Sequence, residues 1–560
     1  MASLVQDLLV ELGRGNITGQ KDLAVLKQRL VKRHNLRKVP SNIELAALLS
    51  GKEREKYRHV LTLKPVRNVS GVEVVAIMGK PINCQHGRCI YCPGGVNSFF
   101  GDVPQSYTGN EPATMRAIRN SYDSYLQVMN RLEQYVAINK APKKIELIIM
   151  GGTFPSFPYE YQDEFITYAF KALNDFGDRF LTSEEKLRAF MEFFELPHDV
   201  KDPAWASRIQ ERILSMRGTS HLEAEQLRNE TNPVRCVALV FETRPDFAGP
   251  REIDQMLRLG ATRVEVGIQS LYEDVIQKAG RCHTLEQSRL AARQLKDAFF
   301  KTGFHMMPGL PHSTKEMDIA MLKELFDNPD WRPDALKIYP TMVMPGTPLE
   351  RMWQKRLYTP LTTEEAIDIL VKAKRHIPKY CRLMRVQRDI PTVVTLAGVD
   401  RTNVRQMIER EMKRQGVVCR CIRCREHRDR EISWDSVKLN RETYDSSQGT
   451  EIFISMDDMR NELLLGYCRL RIPHKPYRKE ITPRTAGIRE LHVFGQTASL
   501  GEPGTVQHRG LGTTLLSEAE RIAREQFDKS KMLVISGVGA REYYRKLGYE
   551  PVGLYMGKNI

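Results

Sequence analysis

The stretch Cys84-Gln85-His86-Gly87-Arg88-Cys89-Ile90-Tyr91-Cys92-Pro93-Gly94-Gly95 places three thiols within nine residues. Thiolates are the usual ligands of iron–sulfur clusters, and Cys84, Cys89 and Cys92 suffice for three irons of a 4Fe–4S cube. The fourth iron then stays open to a small chelating molecule. A structural zinc needs a fourth protein ligand close by, and His86 offers one. The run alone therefore leaves cluster and zinc knuckle both open.

Downstream, short apolar runs end in glycine, proline or polar residues. Ile145–Met150 precedes Gly151-Gly152-Thr153, Val237–Phe241 precedes Glu242-Thr243-Arg244, and Arg263–Ile268 precedes Gln269-Ser270. Phe304–Met307 and Ala335–Tyr339 repeat the pattern, with helical spacing at Pro250–Leu259 and Thr284–Lys301. Strands alternating with helices predict an α/β fold, a parallel (β/α) barrel or part of one, whose site lies at the C-terminal strand ends. The segment 154–235 is long for one crossover and reads as a helical insertion. Gly151-Gly152 after a strand is similar to the glycine motif with which radical S-adenosylmethionine (SAM) barrels receive SAM's amino group. Glu242, Arg244 and Gln269 stand at strand ends as polar contacts to SAM or substrate.

The last part changes character. Thr450–Ser455 and Leu463–Leu470 alternate as antiparallel strands do, and Ile488–Phe494 reads as another strand. Gln507-His508-Arg509-Gly510-Leu511-Gly512-Thr513 then opens an amphipathic helix, where free backbone N–H groups and the helix dipole favour phosphate. This spacing is similar to that of the GNAT acetyltransferases, in which it holds the pyrophosphate of coenzyme A. Strand Met532–Ser536 and Tyr543-Tyr544 follow. In that fold a tyrosine placed like Tyr544 is a general acid toward the leaving thiolate.

With 560 residues, a formal net charge of +16 and pI near 9.3, the chain is expected to meet a polyanion. Hydrophobic content of 41% and charged content of 28% fit a soluble globular protein. The ten cysteines are clustered as for metals rather than disulfides, which reads as cytoplasmic, and no membrane partner is expected. Near the N-terminus a helix over Lys21–Lys38 carries Lys27, Arg29, Lys32, Arg33, Arg37 and Lys38 around Leu23, Leu26 and Leu30. Ser41 and Glu44 form a capping box for a second helix. Two such helices are too small for a core of their own and are expected to dock on a larger domain, presenting charge to phosphates. Between the blocks, Cys419, Cys421 and Cys424 suggest a structural zinc, with His427 or Cys381 as the fourth ligand. The expected domains are a basic helical region 1–66, a barrel 67–360, a linker 361–440 with the zinc cysteines, and a GNAT domain 441–560.

From about Lys64 onward the chain resembles the family of the catalytic subunit of Elongator. The resemblance rests on Cys92–Gly95, Gln105-Ser106-Tyr107-Thr108-Gly109, Met150–Phe154, Glu242-Thr243-Arg244-Pro245-Asp246 and Val386–Pro391. It continues in Arg489-Glu490-Leu491-His492-Val493 and Ile535–Gly539. It implies an enzyme that carboxymethylates carbon five of the tRNA wobble uridine, using a 4Fe–4S cluster, SAM and acetyl-CoA. Cys84, Cys89 and Cys92 match the cluster cysteines. Lys144, Glu490–Val493, Leu511–Thr513 and Tyr544 match acetyl-CoA contacts, while Gln507 and Gly510 follow the general GNAT pattern. The gap of four residues between Cys84 and Cys89 is shorter than in eukaryotic members and suggests the prokaryotic-type branch. Members of that branch are expected to work without the other Elongator subunits, alone or as a homodimer, supplied by an electron donor that the sequence does not name. A lysine acetyltransferase with a structural cluster is the second reading.

Overall fold

The computed structural model describes residues 2–15, 17, 19–36, 39–61, 71–181, 184–196, 202–428, 430–495 and 510–560. After the N-terminal helices come strand β1 (Glu73–Met78), a hairpin of β2 (Gly95–Ser98) and β3 (Gly101–Val103), then β4 (Lys144–Met150) and β5 (Arg235–Thr243). β6 (Arg263–Gln269), β7 (Lys301–Met306), β8 (Ala335–Ile338) and β9 (Arg382–Arg385) follow. One seven-stranded sheet has the order β1-β4-β5-β6-β7-β8-β9, with every pair parallel. β6 is buried at every position, as a central parallel strand covered on both faces should be. The stretch expected as a linker, 361–440, instead supplies the helix Thr363–Lys374 and the seventh barrel strand, β9. With four residues, β9 is too short for periodicity to reveal.

The insertion after β4 consists of helices Tyr159–Phe180, Glu184–Phe193, Pro203–Arg217 and Leu222–Asn229. Phe176, Phe180, Phe190 and Phe194 meet with ring centroids 4.8–6.4 Å apart, so this part of the core is aromatic.

The second sheet comprises β10 (Val437–Ser446), β11 (Gly449–Asp458), β12 (Leu463–Ile472), β13 (Thr485–Val493), β14 (Lys531–Val534), β15 (Glu550–Val552) and β16 (Tyr555–Asn559). Its order is β10-β11-β12-β13-β14-β16-β15, with β13 and β14 parallel. It docks on the N-terminal ends of the barrel strands through buried ion pairs. Arg489 reaches Asp334 at 2.6 Å and Glu451 at 2.9 Å, and Arg471 reaches Asp297 at 2.6 Å. Fully buried arginines are tolerable only when paired in this way.

At the N-terminus the basic helix ends at Arg33, not Lys38. Asn35 takes a φ of +47°, a left-handed stop that asparagine tolerates, and Arg37 and Lys38 lie outside the described residues. The capping box is present: Ser41 Oγ accepts from Glu44 N while Glu44 Oε2 accepts from Ser41 N. A further helix, Ala2–Gly13, adds Leu4, Leu8 and Leu12 to Leu23, Leu26, Leu30, Leu45 and Leu49. These helices therefore do have a core of their own, contrary to expectation. No helix among the described residues is long and apolar enough to cross a membrane.

Candidate active site

Cys84, Cys89 and Cys92 follow β1 and line a cavity of about 1000 Å³ at the C-terminal ends of the barrel strands. Gly152, Thr153, Glu242, Arg244 and Gln269 line it too, so the predicted strand-end residues are brought together with the cysteines. Gly151 and Gly152 have φ of +107° and +87°, a backbone that side chains disfavour. At least one pair of the three sulfurs is separated by more than 4.8 Å. A single tetrahedral zinc holds its thiolates only about 3.8 Å apart, as Zn–S bonds near 2.3 Å require, so the arrangement fits a cube on which each thiolate binds a different iron.

The wall around the cysteines carries polar atoms sealed from water without protein partners: His86 Nδ1, Tyr91 Oη, Arg244 Nη1, Arg281 Nε and Gln269 Oε1. Buried orphans in this number mark a space shaped for a polar occupant. Arg281 stands 3.9 Å from Cys89 Sγ, and Ser106 N donates to Cys92 Sγ at 3.2 Å. Burial pushes the Cys84 thiol up to about 12, with the two neighbouring cysteines adding to the shift. Without a cationic occupant the Cys84 thiol stays protonated.

Deeper in the barrel lies a group of which the sequence pointed only to Glu242. Lys337 bridges Glu242, at 3.2 Å, and Glu265, while Glu242 also accepts from Tyr107 Oη at 3.1 Å. His305 Nε2 lies 2.8 Å from Glu265 Oε2, and Arg263 lies 3.0 Å from Glu265. Glu242, Glu265 and His305 are close enough to share a metal ion, but the Lys337 ammonium already supplies the cation. The one sequence signal was a charged residue inside each otherwise apolar strand.

The GNAT end has its own geometry. β13 pairs with β14 only from Thr485 to Ile488, so the strands part beside Glu490–Val493. Leu491 and Val493 face the helix Leu511–Phe527, whereas Glu490 and His492 face the barrel. The Glu490 side chain pairs with Lys301 of β7 and accepts from Tyr467 Oη at 2.7 Å and Arg469 Nε at 2.9 Å. Burial opposes its charge, yet Lys301 and Arg469 outweigh it and hold the carboxyl well below the usual range. The helix Leu511–Phe527 starts from Gly510 at φ +74°; Gln507 lies outside the described residues. Tyr544 is buried on the helix Arg541–Arg545, and burial drives its phenol well above 10. Tyr543 reaches over the helix start, where a Cβ on Gly512 would lie 2.7 Å from its hydroxyl.

Lys144 begins β4, the end of the strand opposite Gly151, and is not in the cysteine cavity. Its register partner Arg235 instead touches the GNAT loop, where a Cβ on Gly539 would lie 2.5 Å from Arg235 Cβ. Burial and Arg235 lower its ammonium pKa. Cys419, Cys421 and Cys424 lie within 4.8 Å of one another, as ligands of one ion should; neither His427 nor Cys381 joins that group. Lys374 Nζ is 3.7 Å from Cys424 Sγ.

A parallel half-barrel with three cavity-facing cysteines, followed by a sheet with a splayed strand pair, defines a radical-SAM enzyme carrying an acetyltransferase domain. The Radical SAM superfamily profile matches residues 82–325, the Radical SAM C-terminal domain 333–414, the acetyltransferase (GNAT) family 421–549, and the ELP3 N-terminal domain 1–69. Across the whole chain the similarity runs to the tRNA uridine(34) acetyltransferase of Methanocaldococcus jannaschii, at 44% identity over 100% of this chain and 98% of the relative. It also runs to Elongator complex protein 3 of Saccharomyces cerevisiae, at 38% over 100% and 95%. The structure of archaeal Methanocaldococcus infernus Elp3 with an N-terminal deletion superposes with a TM-score of 0.72 at 40% identity, covering 88% of this chain and 100% of that one. The chain belongs to the Elongator complex protein 3 family.

Proposed function

We propose that this chain modifies tRNA, building a carboxymethyl group on carbon five of uridine 34 with the two carbons of acetyl-CoA. Relatives named tRNA uridine(34) acetyltransferase support the substrate. The observation that carries the reading is structural. One barrel has a three-cysteine cavity at one end of its strands and a splayed acyltransferase strand pair at the other.

When bound, a 4Fe–4S cluster on Cys84, Cys89 and Cys92, together with SAM, supplies a 5′-deoxyadenosyl radical able to take hydrogen from a methyl group. The chain's own residues hold the reactants. Gly151 and Gly152 present backbone to SAM's amino group, and the unsatisfied atoms of Arg244, Arg281 and Gln269 face its polar groups. At the other end, the open edge of Glu490–Val493 takes the amide-bearing arm of coenzyme A as an added strand does. Gly510, Leu511, Gly512 and Thr513 offer N–H groups to the pyrophosphate. Tyr544, kept protonated by burial, donates toward the thioester while acetyl-CoA is held there, and Lys144 stands at this end of the strands as register partner of Arg235, which touches the loop at Gly539. From Lys144 to Met150 β4 spans about 20 Å, so the acetyl group reaches the cysteines along the barrel interior. Cys419, Cys421 and Cys424 hold a structural zinc, tRNA phosphates meet the basic N-terminal helices, and an external one-electron donor is required.

Anaerobic reconstitution followed by mass spectrometry of tRNA nucleosides tests this. With SAM and acetyl-CoA, the wild-type chain should yield 5-carboxymethyluridine and Cys89→Ala none. Product from Cys89→Ala, or acetylation of lysine peptides in its place, would contradict the proposal.

A further inference from the structure

Carboxymethylation with acetyl-CoA also requires that a thioester be hydrolysed. The donor is a thioester and the product a free carboxylate, so a water must attack the thioester carbonyl. His305 is built for that work. It sits on β7 with Nε2 2.8 Å from the Glu265 carboxylate, and its ring edge meets Tyr339 at 5.5 Å and 75°. Glu265 is itself pinned by Lys337 and by Arg263 at 3.0 Å. A carboxylate at Nε2 fixes the proton on that nitrogen and leaves the lone pair on Nδ1. Among the described residues nothing donates to Nδ1, and His305 lines the same cavity as Cys84, Cys89 and Cys92.

We propose that His305, oriented by Glu265, is the general base that activates water to cleave the thioester in this cavity. This assignment rests on the carboxymethylation reading. His305 Nδ1 accepts a proton from water while the water oxygen bonds to the carbonyl carbon. The carbon–sulfur bond then breaks, its electron pair leaves on sulfur, and the imidazolium returns the proton to the thiolate. One water is consumed, a carboxylic acid and a thiol form, and nothing is oxidised or reduced. Lys337, beside the same space, opposes the negative charge that grows on the carbonyl oxygen.

The charge state fits the role. Burial and then Lys337 depress the His305 imidazole below its ordinary 6.5, with Glu265 and Glu242 only partly offsetting them, so the ring is a neutral base at pH 7. The groups around it are Glu265 and Arg263 from β6, Glu242 from β5, Lys337 from β8, Tyr339 just after β8, and Arg385 from β9.

The test uses the full chain with SAM, acetyl-CoA, dithionite and tRNA, reading 5′-deoxyadenosine and nucleosides by mass spectrometry. His305→Gln should keep 5′-deoxyadenosine within about twofold of wild type and lower 5-carboxymethyluridine roughly a hundredfold, the scale of general-base catalysis. Uridine still carrying a coenzyme A thioester should accumulate, and hydroxylamine should convert it to the hydroxamate. Glu265→Gln, which keeps the imidazole but loses the anion that orients it, should show the same adduct with a smaller loss. In single-turnover thioester cleavage by the wild type, the rate should fall only below pH 6.5, as Nδ1 takes up a proton. Full product from His305→Gln overturns the assignment. So does equal loss of 5′-deoxyadenosine and product in both variants with no adduct. A wild-type chain that forms no carbon-five product overturns the carboxymethylation reading, and this assignment with it.

Discussion

At the scale of single residues, Glu490 and Tyr544 both belong to the proposed acyl site but do different work. The Glu490 carboxylate is spent on Lys301, Tyr467 and Arg469, leaving only its backbone to meet a ligand. Glu490→Gln should therefore leave the KM for acetyl-CoA within about twofold of wild type while costing about 3–5 kcal/mol of stability, the usual penalty for stranding a buried charge. Tyr544→Phe should do the reverse, raising the KM for acetyl-CoA while the denaturation midpoint and tRNA affinity hold. Denaturant titration beside hydrolysis kinetics separates the two, and a large KM rise for Glu490→Gln at unchanged stability would return its side chain to the ligand. The cysteines were legible from the sequence because their chemistry is contiguous within nine residues. Arg281 was not, because sheet order brings it to Cys89 from 192 residues away. His305 and Lys337 were hidden likewise: each is a polar residue on a different short strand, and only the sheet order brings them together.

Among the elements, apolar strands ended by glycine, proline or polar residues were visible even when short, as β8 and β14 were at four residues each. β11, β12 and β13, nine or ten residues long, were read in part, whereas β10 with ten and β9 and β15 with four and three were not. The purpose of the helical insertion could not be read because it depends on a contact with the far end of the chain. Its last helix is followed by Glu230, buried between Arg541 at 3.0 Å and Arg545 at 2.6 Å, on the helix that carries Tyr544. The insertion thus braces the acyl site against the barrel. The N-terminal helices pose a different question, since part of their charge is internally paired: Arg33 with Asp7 at 3.2 Å and Arg29 with Glu11 at 3.8 Å. Lys32 and Arg33 remain exposed. Reversing both to Glu should weaken tRNA binding and reduce the slope of log affinity against log salt by roughly two, one per lost phosphate contact. An unchanged slope would take this helix out of the interface.

For the molecule as a whole, the decisive feature is separation. The cysteine cavity and the splayed strands lie at opposite ends of the barrel strands, about 20 Å apart along β4, with the His305–Glu265–Lys337–Glu242 group between them. Two active modules so joined make chemical sense if the acetyl carbon itself is what passes from one to the other. The most direct measurement is turnover with acetyl-CoA whose methyl group is trideuterated. The account predicts 5′-deoxyadenosine carrying one deuterium and 5-carboxymethyluridine carrying two. Unlabelled 5′-deoxyadenosine, or a tRNA product that keeps all three deuteriums, would contradict it.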